Sequence, residues 1–471
     1  MATRYYLILL LVLPIAIPAC SNSYINKTER GDDFDYKPGF PELRIASTAY
    51  IDTTNKAHIL VSGDIVYGSL IFSKKDDSLE ADFSVIITVT EERNSQDLYI
   101  KESFRDTLRA DTENVIYSQD VSKFERDYQI AAGNYTVEVL LIDNSSQKQI
   151  TKTVTISVPD ADNTDSAITN VSLLVKNSSI KNSGFTQATT YHIPSKFDSL
   201  KFQFQVINNS SQSAFNFQMR LLKFLSDTSI ARPLNFRNYT PSSLPYVGID
   251  YDKYNILESS VRSFGQQGNV IIEYNFQELP KGNYRLEVQS EDNPSGEIYK
   301  AIDFSIKSPN YPAVKTAHEL AAPLYYIMDE SEYDELMKMD DPQEMKNTID
   351  RFWLSNIKNS ITAKNVISLY YQRVEEANKL FSNFKAGWKT DPGIVYILFG
   401  PPLQMDSFPD EMTWYYSYNR YDPEKRFHFE LSKIRSKYYP FYNYLLERSG
   451  DLFNPQLNQI RKWRSGAILQ D

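Results

Sequence analysis

The chain has one cysteine, Cys20, in 471 residues, so no intramolecular disulfide can form and stability must come from packing. Histidine is almost as scarce. His58, His192, His318 and His428 are scattered without ligand spacing, which leaves no zinc signature of either the structural or the catalytic sort. A Gly-rich phosphate loop, a Gly-x-Ser-x-Gly elbow and an EF-hand string are all missing, so no metal or other cofactor is implied. Positive charge is in deficit: 50 Lys and Arg against 60 Asp and Glu give a net charge of −10 and a pI of about 5.2. A duplex or anionic-lipid binder shows a basic stripe, so nucleic acid is not an expected partner. Beyond residue 20 no apolar run reaches the ~20 residues that a membrane helix requires. Tryptophan is absent before Trp353, and all four (Trp353, Trp388, Trp414, Trp463) fall in the last third.

What is present is ordinary globular composition, 41% hydrophobic and 23% charged, in a length that suits about three domains of roughly 150 residues each. The start is different. Arg4 and the apolar residues from about Tyr5 to Ile17 have the layout of a secretory signal, and Ile17-Pro18-Ala19-Cys20 resembles a lipobox, in which the cysteine is diacylated and becomes the first residue. An ordinary signal peptide with Cys20 incidental is the alternative. Lipidation of Cys20 implies a membrane-anchored protein of the cell envelope, with residues 20–40 as a polar, flexible stalk. Ser21-Asn22-Ser23, rather than acidic residues, follow the cysteine, which favours the periplasmic face of the outer membrane over surface export.

Two stretches then read as β-sandwiches, residues 41–159 and 166–308. Short alternating runs such as His58–Val61, Ser69–Phe72, Phe83–Val89 and Leu98–Glu102 predict strands. In the second stretch Leu200, Phe202, Phe204 and Val206 form one inward face. Both stretches end alike: Gly133-Asn134-Tyr135 and Gly282-Asn283-Tyr284 each enter a strand that turns and returns. A tyrosine in that place resembles the corner of immunoglobulin-like sandwiches, where its hydroxyl bonds back to the main chain. Residues 159–165 would be the linker.

After Ser308-Pro309-Asn310-Tyr311-Pro312 the pattern turns helical. Asp341-Pro342 with Glu344 starts a helix to about Asn356, and a second runs from about Ala363 to Phe384. Glu411–Tyr418 and Arg426–Leu431 alternate as strands, and Pro455–Trp463 forms a short terminal helix. Asp329–Glu335 lacks calcium-loop geometry and reads as a solvated helix face. The expected fold is thus two tandem immunoglobulin-like sandwiches followed by an α+β domain, residues 313–471, with helices on a small antiparallel sheet.

Residues 387–402 concentrate the special backbone residues, including three of the 16 glycines. The apolar run Ile394–Phe399 reads as a buried strand between two turns, although six residues are too few for periodicity to separate strand from helix. Gly387-Trp388-Lys389-Thr390-Asp391, with Gly393, Tyr396, Gly400, Pro401 and Pro402, closely resembles the motif of the GWxTD-domain proteins of the bacterial envelope. Arg351-Phe352-Trp353, Tyr370-Tyr371, Arg373, Trp414 and Trp463-Arg464 extend the resemblance over about residues 315–471. The family supplies no catalytic residues to carry over.

For an enzyme, Asp391 would be the general base, with Arg351 or Arg373 as counter-charge and Trp388 as wall. Against this, Thr390-Asp391-Pro392-Gly393 is a good β-turn in which glycine takes the left-handed position, and no second convergent acid, base or nucleophile stands near Asp391. The expectation is a non-enzymatic, outer-membrane-anchored lipoprotein that docks an envelope protein. The alternative is a glycan- or peptidoglycan-binding lipoprotein using the C-terminal aromatics, including Tyr438–Tyr444. A hydrolase using Asp391 ranks third.

Overall fold

The computed structural model describes residues 25–26, 39–75, 78–92, 98–112, 115, 118–160, 166–177, 184–209, 214–236, 249–290, 298–421, 425–431 and 443–470. Cys20 with its signal, the linker residues 161–165 and the aromatic residues 438–442 lie outside this set. The chain is mostly β-sheet with a C-terminal helical region.

The first sheets follow from alternation. In Ser78–Glu91, Ala81, Phe83, Val85, Ile87 and Val89 are buried while the residues between them are not, as a pleated strand with one apolar face requires. This strand pairs with Leu98–Ala110 on one side and Gly133–Asp143 on the other, and Gly133–Asp143 pairs in turn with Gln149–Val158. A second sheet, Leu43–Ile51, Ala57–Val66 and Val121–Gln129, shares the same apolar core through Ile45, Val61 and Phe124. Ser69–Phe72 is not a strand: a 3-10 turn occupies Tyr67–Ser69, and Ser69 Oγ donates to the Val66 carbonyl at 2.7 Å.

The next two sheets repeat the plan. Leu200, Phe202, Phe204 and Val206 line the inner face of Ser199–Asn208, opposite Phe217, Met219 and Leu221 of Phe215–Ser226. The sheet holding Phe215–Ser226 also contains Ile249–Phe264, Gly282–Ser290 and Tyr299–Lys307. Both expected tyrosine corners form. Tyr135 Oη donates to the Ala131 carbonyl at 3.0 Å, and Tyr284 Oη donates to the Pro280 carbonyl. Gly133 and Gly282, at φ of +157° and +159°, begin the strands that carry these tyrosines.

Among the described residues six α-helices follow: α1 Ala317–Ala321, α2 Glu330–Met337, α3 Pro342–Asn356, α4 Ser360–Phe381, α5 Asp391–Phe399 and α6 Phe453–Ser465. Asp341 caps α3 by accepting from the Gln343 and Glu344 amides, and Asn359 caps α4, which therefore begins three residues before Ala363 and ends at Phe381. The antiparallel sheet runs Gln404–Ser407, Glu411–Tyr415, Arg426–Leu431, Tyr444–Leu446 in chain order.

Ile394–Phe399 is not one of its strands. Thr390 Oγ1 accepts from the Gly393 amide and Pro392 sits in the first turn, so the segment starts as a capped helix, α5. Every residue from Asp391 to Leu398 is buried, with Trp353, Tyr370, Trp414, Phe427 and Trp463 in the same apolar cluster. Of the described residues, no helix is long and apolar enough to cross a membrane.

Several contacts join the sheets to one another and to the helices. Gln205 bonds both the amide and the carbonyl of Ile51, at 2.6 and 2.7 Å. Lys379 of α4 reaches Glu42 at 3.4 Å, and both are buried. Leu234 leaves the sheets to join the C-terminal core, its amide donating to Gln456 at 2.8 Å.

Candidate functional site

The motif is a welded joint between α4 and α5. Gly387 lies so close to the end of α4 that a Cβ there would stand 1.9 Å from the Ala377 carbonyl oxygen. Its amide donates to Ser382 Oγ at 2.7 Å, and the next amide, Trp388, donates to Asn378 Oδ1 at 3.2 Å. Thr390 Oγ1 donates to the Gly387 carbonyl at 2.7 Å while accepting from Gly393, so one hydroxyl both closes the loop and caps the helix. A Cβ on Gly393 would stand 2.0 Å from that same Gly387 carbonyl oxygen. Gly393 is needed for close approach inside a helix and not for a left-handed turn, which corrects the β-turn reading of Thr390–Gly393.

Asp391 is not paired with Arg351 or Arg373. Its carboxylate is buried against Arg448, with Arg448 Nη1 to Oδ2 at 2.6 Å and Nη2 to Oδ1 at 2.7 Å, and Oδ2 also accepts from the Leu446 amide at 2.8 Å. Arg448 continues to the carbonyls of Arg232 and Pro233 at 3.1 Å, so the pair ties α5 to the last strand and to a segment from the second group of sheets. Arg351 is exposed and bonds Thr348 within α3. Arg373 sits at the other end of α5: its Nη1 donates to the carbonyls of Ile397 and Leu398 at 3.3 Å, where a cation suits the negative helix end.

The remaining motif residues finish α5. Tyr396 Oη donates to Glu376 at 2.7 Å. Gly400 ends the helix at φ +83°, and a Cβ there would meet the Arg373 guanidinium at 2.8 Å. Tyr416 Oη donates to the Gly400 carbonyl at 2.6 Å, while Pro402 is half-buried just beyond. Trp463 Nε1 donates to the Leu398 carbonyl at 3.0 Å, and its ring meets Tyr370 edge-on, which in turn meets Trp353. Trp414 packs on Phe429 and Phe381.

All four tryptophans are buried core, with Trp388 the most exposed at 6%, so the glycan alternative drawn on the C-terminal aromatics has little tryptophan surface to use. The Trp388 carbonyl accepts from buried Tyr326 Oη at 2.6 Å. Among the described residues no group of three or more His, Cys, Asp or Glu is arranged to hold a metal.

Sequence reasoning missed Arg448, Ser382 and Asn378, which complete the joint. It also missed Lys307, buried beside the motif, whose ammonium is pushed down to about 7 by burial and then by nearby Lys389. Arg448 and Lys307 act through long-range contacts that no local signal marks, whereas Ser382 and Asn378 lie only five and ten residues before the amides they bond.

No curated protein matches the chain. Among solved structures, red sea bream transglutaminase aligns with 10% identity and a TM-score of 0.18 over 57% of this chain and 31% of that one. Dimeric latent PorU from Porphyromonas gingivalis aligns with 10% identity and a TM-score of 0.22 over 57% of this chain and 20% of that one. The chain thus spans less than a third of either structure's length, and similarities this weak carry no argument about fold or activity. The family model described as the GWxTD domain matches residues 284–465, from Tyr284 in the last hairpin of the sheets to Ser465 at the end of α6. The chain therefore carries a GWxTD domain in its C-terminal part, and the residues that spell the motif are those that join α4, α5 and Arg448.

Proposed function

We propose that this is a non-enzymatic lipoprotein of the cell envelope, anchored in the outer membrane through Cys20, in which two tandem immunoglobulin-like sandwiches carry the GWxTD domain to a protein partner. The observation that carries this reading is the state of Asp391. Both carboxylate oxygens are occupied by Arg448 and one also by the Leu446 amide, which leaves the one candidate acid of the motif engaged in structure instead of facing a substrate. A docking role is supported by the edge of the C-terminal sheet. Gln404–Ser407 is one of its edge strands, and Met405 within it and Leu403 and Phe408 at its two ends are each more than half exposed. A glycan-binding reading would need aromatics other than the four buried tryptophans.

The test is in-cell crosslinking of the tagged full-length protein, with mass spectrometry of what co-purifies. A reproducible envelope protein, lost on deletion of residues 310–471 and reduced in Cys20→Ala, is the expected result. Co-purification of peptidoglycan or polysaccharide with no protein partner would overturn the docking reading.

A further inference from the structure

A cleft of about 210 Å³ lies between the last hairpin of the sheets and the connection from α4 to α5. Trp388 and Phe384, 6% and 2% exposed, are among the residues of its apolar wall. Four lysines reach it: Lys281 from the turn before Gly282–Ser290, Lys307 from the end of Tyr299–Lys307, and Lys385 and Lys389 from either side of Gly387-Trp388. A chain of net charge −10 has therefore gathered a local positive site.

The acids nearby do not neutralise it. Asp227 takes Lys385 at 3.3 Å. Glu319 lines the cleft, but its carboxylate is filled by the amides of Asn310, Lys315 and Thr316 and by the Asn310 side chain. Among the described residues no acidic side chain lies within ion-pair distance of Lys281, Lys307 or Lys389.

Lys307 is 7% exposed and gives one of its three donors to the Asn383 carbonyl at 3.2 Å. Lys389 donates to the Thr228 carbonyl at 3.1 Å, and its own ammonium is held down by burial, then by Lys385 and Lys281. His192, on the neighbouring strand His192–Pro194, is held well below its ordinary range by burial and by that lysine, so it stays neutral and adds no charge of either sign. The side-chain amides in the wall are committed: Asn283 donates to Ser226 and to the Phe384 carbonyl, and Asn378 to the Pro312 carbonyl. What the cleft has to offer is ammonium donors beside an apolar wall, from buried Lys307, half-buried Lys389 and exposed Lys281, and a buried ammonium without a counter-charge is unfavourable until an anion completes it.

We propose that this cleft binds a small oxyanion-bearing ligand, a carboxylate or phosphate on an apolar body, with Lys307, Lys389 and Lys281 receiving the oxyanion and Trp388 and Phe384 covering the apolar part. Lysine serves either anion, since it acts as a point charge and not as a planar fork. The site goes beyond the docking reading and does not depend on it.

The test uses the full-length protein titrated with phenyl phosphate and with 3-phenylpropionate, followed by calorimetry, with benzyl alcohol as the uncharged control. Saturable binding of at least one phenyl oxyanion is expected, weakening as salt rises and falling about tenfold or more in Lys307→Met and in Lys389→Gln. Tighter phenyl phosphate assigns a phosphate ligand and tighter 3-phenylpropionate a carboxylate, and both support the site. No saturable binding of either, equal binding of benzyl alcohol, or unchanged binding in the two variants with their circular dichroism intact would overturn it. Because Lys389 is only half-buried, its variant keeps the test decisive if Lys307→Met misfolds.

Discussion

Arg448 grips Asp391 through both guanidinium nitrogens across 57 residues of sequence, and the pair is buried where α5, the last strand and the 232–233 carbonyls meet. The acid of the GWxTD motif is thus one half of an ion pair that fixes the placement of its own helix. Removing one partner leaves the other charge buried and unmatched. Asp391→Ala or Arg448→Met should each destabilise the protein by about 3–5 kcal/mol, read as a lower denaturant midpoint. A loss below about 1 kcal/mol would mean the pair is not a structural element.

Gly387 and Gly393 are predicted to be intolerant of even one methyl group. Their Cβ atoms would stand 1.9 and 2.0 Å from main-chain oxygens, which cannot swing aside as a side chain can. Gly387→Ala and Gly393→Ala should therefore cost more than about 3 kcal/mol each or prevent folding, whereas Gly265→Ala, with its nearest neighbour at 3.9 Å, should cost under about 1 kcal/mol. Equal effects at the three sites would contradict the close-approach account.

The two tyrosine corners lend themselves to a paired experiment. Tyr135→Phe and Tyr284→Phe each remove one hydroxyl bond to main chain while keeping the ring, and each should lower stability by about 1 kcal/mol. The check is chemical denaturation of the single and double variants, where the two losses should add because the corners belong to separate apolar clusters.

Lys307 gives stability a pH dependence of known sign. Its folded value of about 7 lies below the ordinary lysine value near 10.4, so the unfolded chain binds more protons between them. Below about pH 7 the lysine is charged in both states and the full cost of burying it stands; that cost is relieved as pH rises toward about 10.4. Lys307→Met should raise stability by about 1–3 kcal/mol at pH 7 and by little at pH ~10.5. Groups facing Lys307 and Lys389, namely His192, Lys281, Lys385 and Asp227, remain unchanged in that comparison. A gain that does not vary with pH would contradict the assignment.

The parts of the fold that were legible in sequence are those written in local chemistry. Asp341-Pro342 announced the start of α3, Arg426–Leu431 matched its strand residue for residue, and Gly133-Asn134-Tyr135 and Gly282-Asn283-Tyr284 marked both corners. Ile394–Phe399 failed for a physical reason. Helix α5 is buried on all sides, so no polar face remains to display a helical period, and Ile394, Val395 and Ile397 have strand-like branching. Thr390 followed by Pro392 did carry a start signal of the same kind as Asp341-Pro342. Arg448 could not have been found this way: its role comes from a fold that brings residue 448 to residue 391.

Whether the motif builds the C-terminal domain, as proposed for docking, or performs chemistry is tested most directly by replacing its ion pair with a neutral hydrogen-bonded one. The double variant Asp391→Asn with Arg448→Gln removes both charges together, so neither is left buried alone. In-cell crosslinking of this variant, with its fold confirmed by circular dichroism, should recover the same envelope partner as the natural protein. A double variant that folds and is anchored but loses the partner, or reproduces the phenotype of deleting residues 310–471, would show that Asp391 does more than hold helix α5 in place.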